Sequence, residues 1–492
     1  MKQINLKMLV LFLFTVFLFS CSEKEPLMEE MNQLPKQEIP VGSGEEIFVS
    51  LEQALEIAGK FLSSESGVET RALENVSVET IKDEENGSNP AMYVVNYPEG
   101  GWVITSATRN YFPVLAHSDK GSFNLENVSQ SGVSVWMAET KDAVRLSKDL
   151  ADSVKVQINT QWLAYEETKI KVPSVPQTRT QADMDTRMMQ LSLLYPGQWS
   201  YMNLNDAQFY LDSYAYQNII NMANTLGATL QYTIIGIRGD YVPTSQNRKG
   251  PLLTTEWGQW YPFNYICPPN TGGSTSNYPA GCVAVAVGQI MRYHKKPALV
   301  NNPYNHQYNW DNMPDKYNGN NATDITASSI PLLLLSVGYD VNMQYSANGS
   351  GSSIDLAENA FEYLHYYADA TIENHNANAP SKIQANINAN RPVYMKGQMS
   401  NGSQHAWVCD GVTTGRFSTE FFVEFYVYNS YTDYYGNYTP SSPGSVMATY
   451  PSCVFYNMNW GWSGENNGWY TDNSFPSGNN YQYLRENLYI TP

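Results

Sequence analysis

Pro279 and Gly281 bar regular structure just ahead of Cys282, and from Cys282 to His294 the chain runs through Val, Ala and Gly before ending in Arg292-Tyr293-His294. This pattern predicts a helix of small apolar residues that starts at or next to Cys282. A thiol at a helix N-terminus faces unpaired backbone N–H groups and the positive end of the helix dipole, which favour the thiolate. The same N–H groups can hold an oxyanion as it develops. Ala284, Ala286 and Gly288 let such a helix pack closely on its neighbours. A buried structural cysteine opening a core helix has the same local pattern, so the stretch needs company before it implies chemistry.

Two further stretches supply that company. Arg391–Gly397 reads as a turn and strand, and Ser403-Gln404-His405-Ala406-Trp407-Val408-Cys409-Asp410-Gly411 places His405 at the start of another strand, after a Gly/Ser/Asn loop. A base there is fixed by a sheet yet reachable from a cleft. His294, His306, His365 and His375 lie in helical or Asn-rich settings without that frame, and His117 lies far upstream. The third stretch is Asn457–Tyr470, with Asn459-Trp460-Gly461-Trp462 at its centre. An Asn amide can orient an imidazole while indoles shield the bond from water. An aromatic hairpin with a glycine turn accounts for the same residues. The order Cys, His, Asn-Trp, each in a suitable local structure, is what points to a thiol nucleophile with a histidine base.

Taken together, these residues resemble the streptopain family of papain-like cysteine peptidases. The resemblance is carried by Pro251–Gln259, Gly281–Ala284 with Gln289–His294, Val337–Asp340 with the turn Tyr345…Ser352, Arg391–Tyr394, His405–Gly411 and Asn459–Trp462. It implies an α+β protein: a papain-like catalytic domain with a helical part and an antiparallel β part. It implies Cys282 and His405 as the catalytic pair, with Asn459 or Trp460 orienting the histidine. It implies an endopeptidase needing no cofactor and no metal, acting on proteins or peptides and favouring a hydrophobic residue at the second position before the scissile bond. Upstream, Tyr93–Asn96, Gly101–Ala107 and Pro113–Ala116 are similar to the family's inhibitory propeptide, so the chain's own N-terminal part is expected to act as an intramolecular inhibitor. Papain's glutamine six residues before its cysteine corresponds here to Ser276, with Asn277 beside it, so the side-chain oxyanion donor stays unassigned. A transglutaminase-like or amidase enzyme also uses Cys then His, but Asp410 is too close to His405 in sequence to be its third member. A peptidase-shaped binding protein is the non-catalytic alternative.

The N-terminus bears on location. Lys2 and Lys7 precede an uncharged run, Met8–Phe19, too short to span a bilayer and shaped like a signal-peptide core. It ends in Leu18-Phe19-Ser20-Cys21, which resembles a bacterial lipobox with Cys21 as the lipidated residue. The expected product is an exported lipoprotein at the outer membrane or cell surface, touching membrane only through that lipid. The domains expected are a signal peptide (1–20), a flexible tether (21–44), an inhibitory propeptide (45–170), a linker and extra segment of unknown role (171–250) and the peptidase domain (251–492). Within the propeptide, Leu51, Ala54, Leu55, Ala58, Phe61 and Leu62 recur at helical spacing. Strands are expected at Ala91–Tyr97, Gly101–Ser106 and Tyr111–Ala116, with a helix near Val133–Leu150. Arg179 and Arg187, in a Pro-containing polar stretch, are the candidate cleavage points, and a cut there would free the catalytic domain from its anchor. A net charge of −18 excludes nucleic acid as a partner, because a phosphate backbone calls for a basic face. The five Cys form no CxxC pair, which argues against structural zinc.

Overall fold

The computed structural model describes residues 47–66, 75–150, 201–203, 233–242, 248–272, 276–299, 306–317, 329–364, 367–424, 426–428, 438–440, 444–472 and 483–492, with short pieces between them. Cys21, Arg179, Arg187 and the tether lie outside the described residues. Every element below belongs to one unit, Ile47–Pro492.

The first element, α1 (Leu51–Ser66), forms where the apolar spacing predicts it. Ser50 starts it: its Oγ accepts the Gln53 N–H at 3.2 Å, and its own N–H donates to Gln53 Oε1 at 2.9 Å. That reciprocal box satisfies two N–H groups the first turn leaves over. Ala54, Ile57, Ala58, Phe61 and Leu62 are buried, whereas Leu51, at the first position, is exposed. Four antiparallel strands follow: β1 (Ser77–Asp83), β2 (Asn89–Asn96), β3 (Trp102–Ser106) and β4 (Val114–Ser118). The third expected strand begins later than its apolar run because Pro113 cannot donate to a ladder. α2 (Val133–Leu146) covers the opposite face, burying Val133, Val135 and Trp136, and a short 3-10 turn extends it over Ser147–Asp149. Arg145 ties its end to β1, with Nη1 3.0 Å from both oxygens of Asp83.

Downstream come β5 (Tyr201–Asn203), β6 (Thr233–Val242), α3 (Cys282–His294), α4 (Ile330–Asp340), α5 (Ile354–Asn359), β7 (Asp369–Asn374) and α6 (Ala379–Asn388). They continue with β8 (Val393–Gln398), β9 (Gln404–Glu424), β10 (Tyr426–Tyr428), β11 (Tyr438–Pro440), β12 (Gly444–Asn459), β13 (Gly468–Thr471) and β14 (Glu486–Thr491). This stretch carries more helix than the single one its sequence suggested. The class is α+β as expected, a helical part packed on an antiparallel one.

One sheet crosses both halves of the molecule, in the order β1-β2-β3-β4-β13-β12-β9-β8-β14-β7, with antiparallel pairing throughout. The junction is β4 with β13, where His117 pairs with Trp469 and Ala116 with Tyr470. β6 pairs along the far part of β9, Thr233 with Glu424 through Val242 with Arg416, and β5 pairs with β6. Part of the 171–250 segment, whose role the sequence leaves open, is therefore built into the sheet. Alternation along β9 feeds two cores. Ala406 and Val408 join the apolar cluster of α3, α4 and α5, while Trp407 and Cys409 join that of α2, α6 and Trp460.

Candidate active site

Gly281 sets the start of α3. Its φ of 91° lies in the region that favours glycine, and a Cβ there would come within 2.8 Å of Met343 Sδ and Ser350 O. The chain therefore turns tightly under the Met343–Ser350 segment and enters the helix at Cys282. Gly288, two turns on, lets Leu334 of α4 approach closely. Cys282 packs at the edge of the α3 cluster and is half-buried, unlike Cys267 and Cys409, which are fully buried free thiols. Burial pushes the Cys282 thiol up, opposed by the backbone N–H groups of Ala406, Val283 and Cys282 itself. Cys282 packs against the apolar cluster that takes in Ala406 of β9, the residue following His405.

His405 stands one residue into β9, opposite Gly397 of β8, above a loop closed by Met399 N to Ser403 O at 2.8 Å. Burial alone pushes its imidazole down to about 4, and its buried Nε2 has no hydrogen-bond partner. No hydrogen bond joins Cys282 to His405 among the described residues. The propeptide side is close by. Val135 of α2 crowds Gly397, the cross-strand partner of His405, and Gly132 lies against the rings of Trp407 and Trp460.

Asn459 and Trp460 have other occupations. Asn459 Nδ2 donates to Thr255 O at 2.6 Å, and its Oδ1 accepts from Gln289 Nε2 and Gly461 N, each at 3.2 Å. Its amide ties β12 to α3 and to the Thr255 segment. The Trp460 indole N–H donates to Asn466 O at 2.9 Å, and its ring lies 5.3 Å from that of Trp407. The loop after it returns to the helix, with Gly461 against Val285 and Ser463 N bonded to Trp257 O at 3.1 Å.

Residues 257–470 match the Peptidase C10 family, and residues 46–144 match the Spi protease inhibitor. The chain is 32% identical over 194 residues to the thiol protease/hemagglutinin PrtT of Porphyromonas gingivalis, covering 34% of this chain and 21% of that one. It is 26% identical over 249 residues to streptopain of Streptococcus pyogenes, covering 44% and 52%. The chain thus spans about half the length of streptopain and less of PrtT. A fragment of prointerpain A from Prevotella intermedia overlays with a TM-score of 0.43 at 18% identity, over 84% of this chain and 98% of that one.

Within the region that matches the C10 model, Asp410 is buried, accepts the Leu253 N–H at 2.9 Å and is pushed up to about 8 by burial. It holds the strand-like Leu252–Leu253 segment in place. Asn277, weighed with Ser276 as an oxyanion donor, spends its amide on Asn264 O and Tyr265 O at 3.2 and 2.7 Å. Gln259 is the residue the sequence reading passed over. It is buried, and its carbonyl accepts the Ala280 N–H at 2.8 Å, which brings it beside the turn into Cys282. It already closed the Pro251–Gln259 stretch, but nothing local marks its nearness to the thiol. Desolvation does not single out His405 either, since burial also takes His294 to about 4 and His117 well below its usual range. Among the described residues no group of His, Cys, Asp or Glu is placed to hold a metal ion, and no helix is long and apolar enough to cross a membrane.

Proposed function

We propose that this protein is a cysteine endopeptidase made as an inactive precursor, with Cys282 as nucleophile, His405 as general base and its N-terminal unit as inhibitor. The observation that carries this is the meeting of the α3 N-terminus with β9: Cys282 packs against the apolar cluster that includes Ala406, one residue from His405, within the C10 match. In the active form His405 takes the thiol proton and the thiolate attacks a peptide carbonyl carbon. The tetrahedral oxyanion is held partly by the Cys282 N–H. His405 then gives its proton to the departing amine, leaving a thioester on Cys282. Water activated by the same histidine hydrolyses the thioester and restores the thiol. Asn459 and Trp460 act on this site through the framework they brace.

The burial of His405 suits a precursor, because water excluded from the ring leaves its neutral form favoured. Proteins or peptides are the substrates, and the lipobox-like Cys21 makes the precursor an exported, lipid-anchored protein. Cleavage near Arg179 or Arg187 frees the catalytic domain, with β6 retained through its pairing with β9.

The test is incubation of residues 22–492 with casein under reducing conditions, with and without limited trypsin, for wild type and Cys282→Ala. Wild type should mature and digest casein, and Cys282→Ala should lose on the order of a thousandfold or more even after nicking. Two proteins equally inert once the N-terminal unit is gone would overturn the peptidase reading.

A further inference from the structure

A cavity of about 110 Å³ opens beside Gln259, lined by Trp260, Trp462, Gly258 and Ser463. Glu465 stands at its edge, half-buried and with no cationic partner among the described residues. The neighbouring Glu256, packed under Gly464, is already matched by Lys316 at 3.5 Å. The propeptide closes the cavity. Asn127 lines it and donates Nδ2 to Glu465 Oε2 at 3.2 Å. That segment is pinned by a reciprocal pair, Asn124 N to Asn466 Oδ1 at 2.8 Å and Asn466 Nδ2 to Asn124 O at 2.9 Å.

We propose that this cavity is a substrate subsite for a Lys or Arg side chain, held beside Trp260 and Trp462 with its charge on Glu465. The inference rests on the peptidase reading and adds the side chain that the site selects. Three features of the cavity agree on a cation. Indole faces attract a positive charge, and more strongly when water is excluded. A half-buried carboxylate gains most from a charged donor. The precursor already sets an N–H donor on that carboxylate, so release of the propeptide removes the partner that a substrate replaces. Gln259 carries the cavity to the edge of the Cys282 turn, which puts the selected side chain close to the scissile bond.

The test is digestion of a random peptide mixture by the matured enzyme, with cleavage sites read by mass spectrometry, for wild type, Glu465→Gln and Glu465→Lys. Wild type should enrich Lys and Arg about tenfold at one position flanking the cut, the worth of one charge-assisted contact. Glu465→Gln should flatten that position while preferences elsewhere persist, and Glu465→Lys should turn it toward Asp and Glu. Cleavage by wild type without a basic preference at any flanking position overturns the subsite and leaves the peptidase standing, whether or not the variants fold. A basic preference that survives in Glu465→Gln also overturns it. Absence of any cleavage by wild type overturns the peptidase reading and the subsite together.

Discussion

Asn459 shows how a residue can matter to a site without touching its chemistry. Its amide makes three hydrogen bonds in a buried position, to Thr255, Gln289 and Gly461, and none of them reaches His405. Removing it leaves the Thr255 carbonyl and the Gln289 amide without their partner, so Asn459→Ala should lower unfolding free energy by about 1–3 kcal/mol. Urea denaturation of the precursor measures this, and the pH profile of the remaining activity should keep its shape. An unchanged denaturation midpoint with a shifted pH profile would instead place Asn459 on the histidine.

The helix α3 owes its start to one glycine. Gly281→Ala sets a side chain at a φ of 91° and drives its Cβ into Met343 and the Ser350 carbonyl. The strain alone is about 1–3 kcal/mol, and displacement of the turn misplaces Cys282. Thermal unfolding should show a lowered midpoint and maturation should fail; a variant that matures normally would contradict this role. Such local features were legible in the sequence. Pro279 and Gly281 announce the helix start, and the spacing from Ala54 to Leu62 announces α1. α4 was not legible, because its buried residues run almost unbroken from Ile330 to Gly338 and leave no period to read. α6 hides for the opposite reason, with only Ala379, Ile383 and Ile387 buried along a polar sequence. β1 hides as an edge strand in which only Ile81 and Asp83 are buried. In the site, Cys282 and His405 stood out because each sits at a break in local structure. Gln259 did not, since its place beside Cys282 comes from a tertiary contact with Ala280, and the partners of Asn459 lie far away along the chain.

At the scale of the whole molecule, the N-terminal and C-terminal parts of the chain share a sheet and a buried carboxyl–guanidinium contact. Glu139 of α2 is buried with Oε2 3.2 Å from Arg485 Nη1, and Asp142 accepts the Tyr483 hydroxyl at 2.5 Å. Burial lifts Glu139 from 4.5 to about 7; Arg485 opposes the rise, while Asp472 and Asp142 add to it. The folded precursor therefore holds a proton that the unfolded chain releases. Its contribution to stability is full below 4.5 and is lost as pH rises toward 7. In the inactive Cys282→Ala precursor, unfolding free energy compared with Cys282→Ala/Glu139→Gln should fall as pH climbs through that window. A difference that stays constant with pH would contradict it. The central claim is that Cys282 is a catalytic thiol held idle by the chain's own N-terminal unit, with His405 kept neutral near 4. It is tested most directly by the rate at which iodoacetamide alkylates Cys282 at near-neutral pH, followed by peptide mass spectrometry before and after proteolytic removal of that unit. The account predicts slow alkylation in the precursor, a rise of about a hundredfold or more on removal as the thiolate forms, and loss of that rise in His405→Ala. Equal reactivity before and after removal, unaffected by His405→Ala, would contradict it.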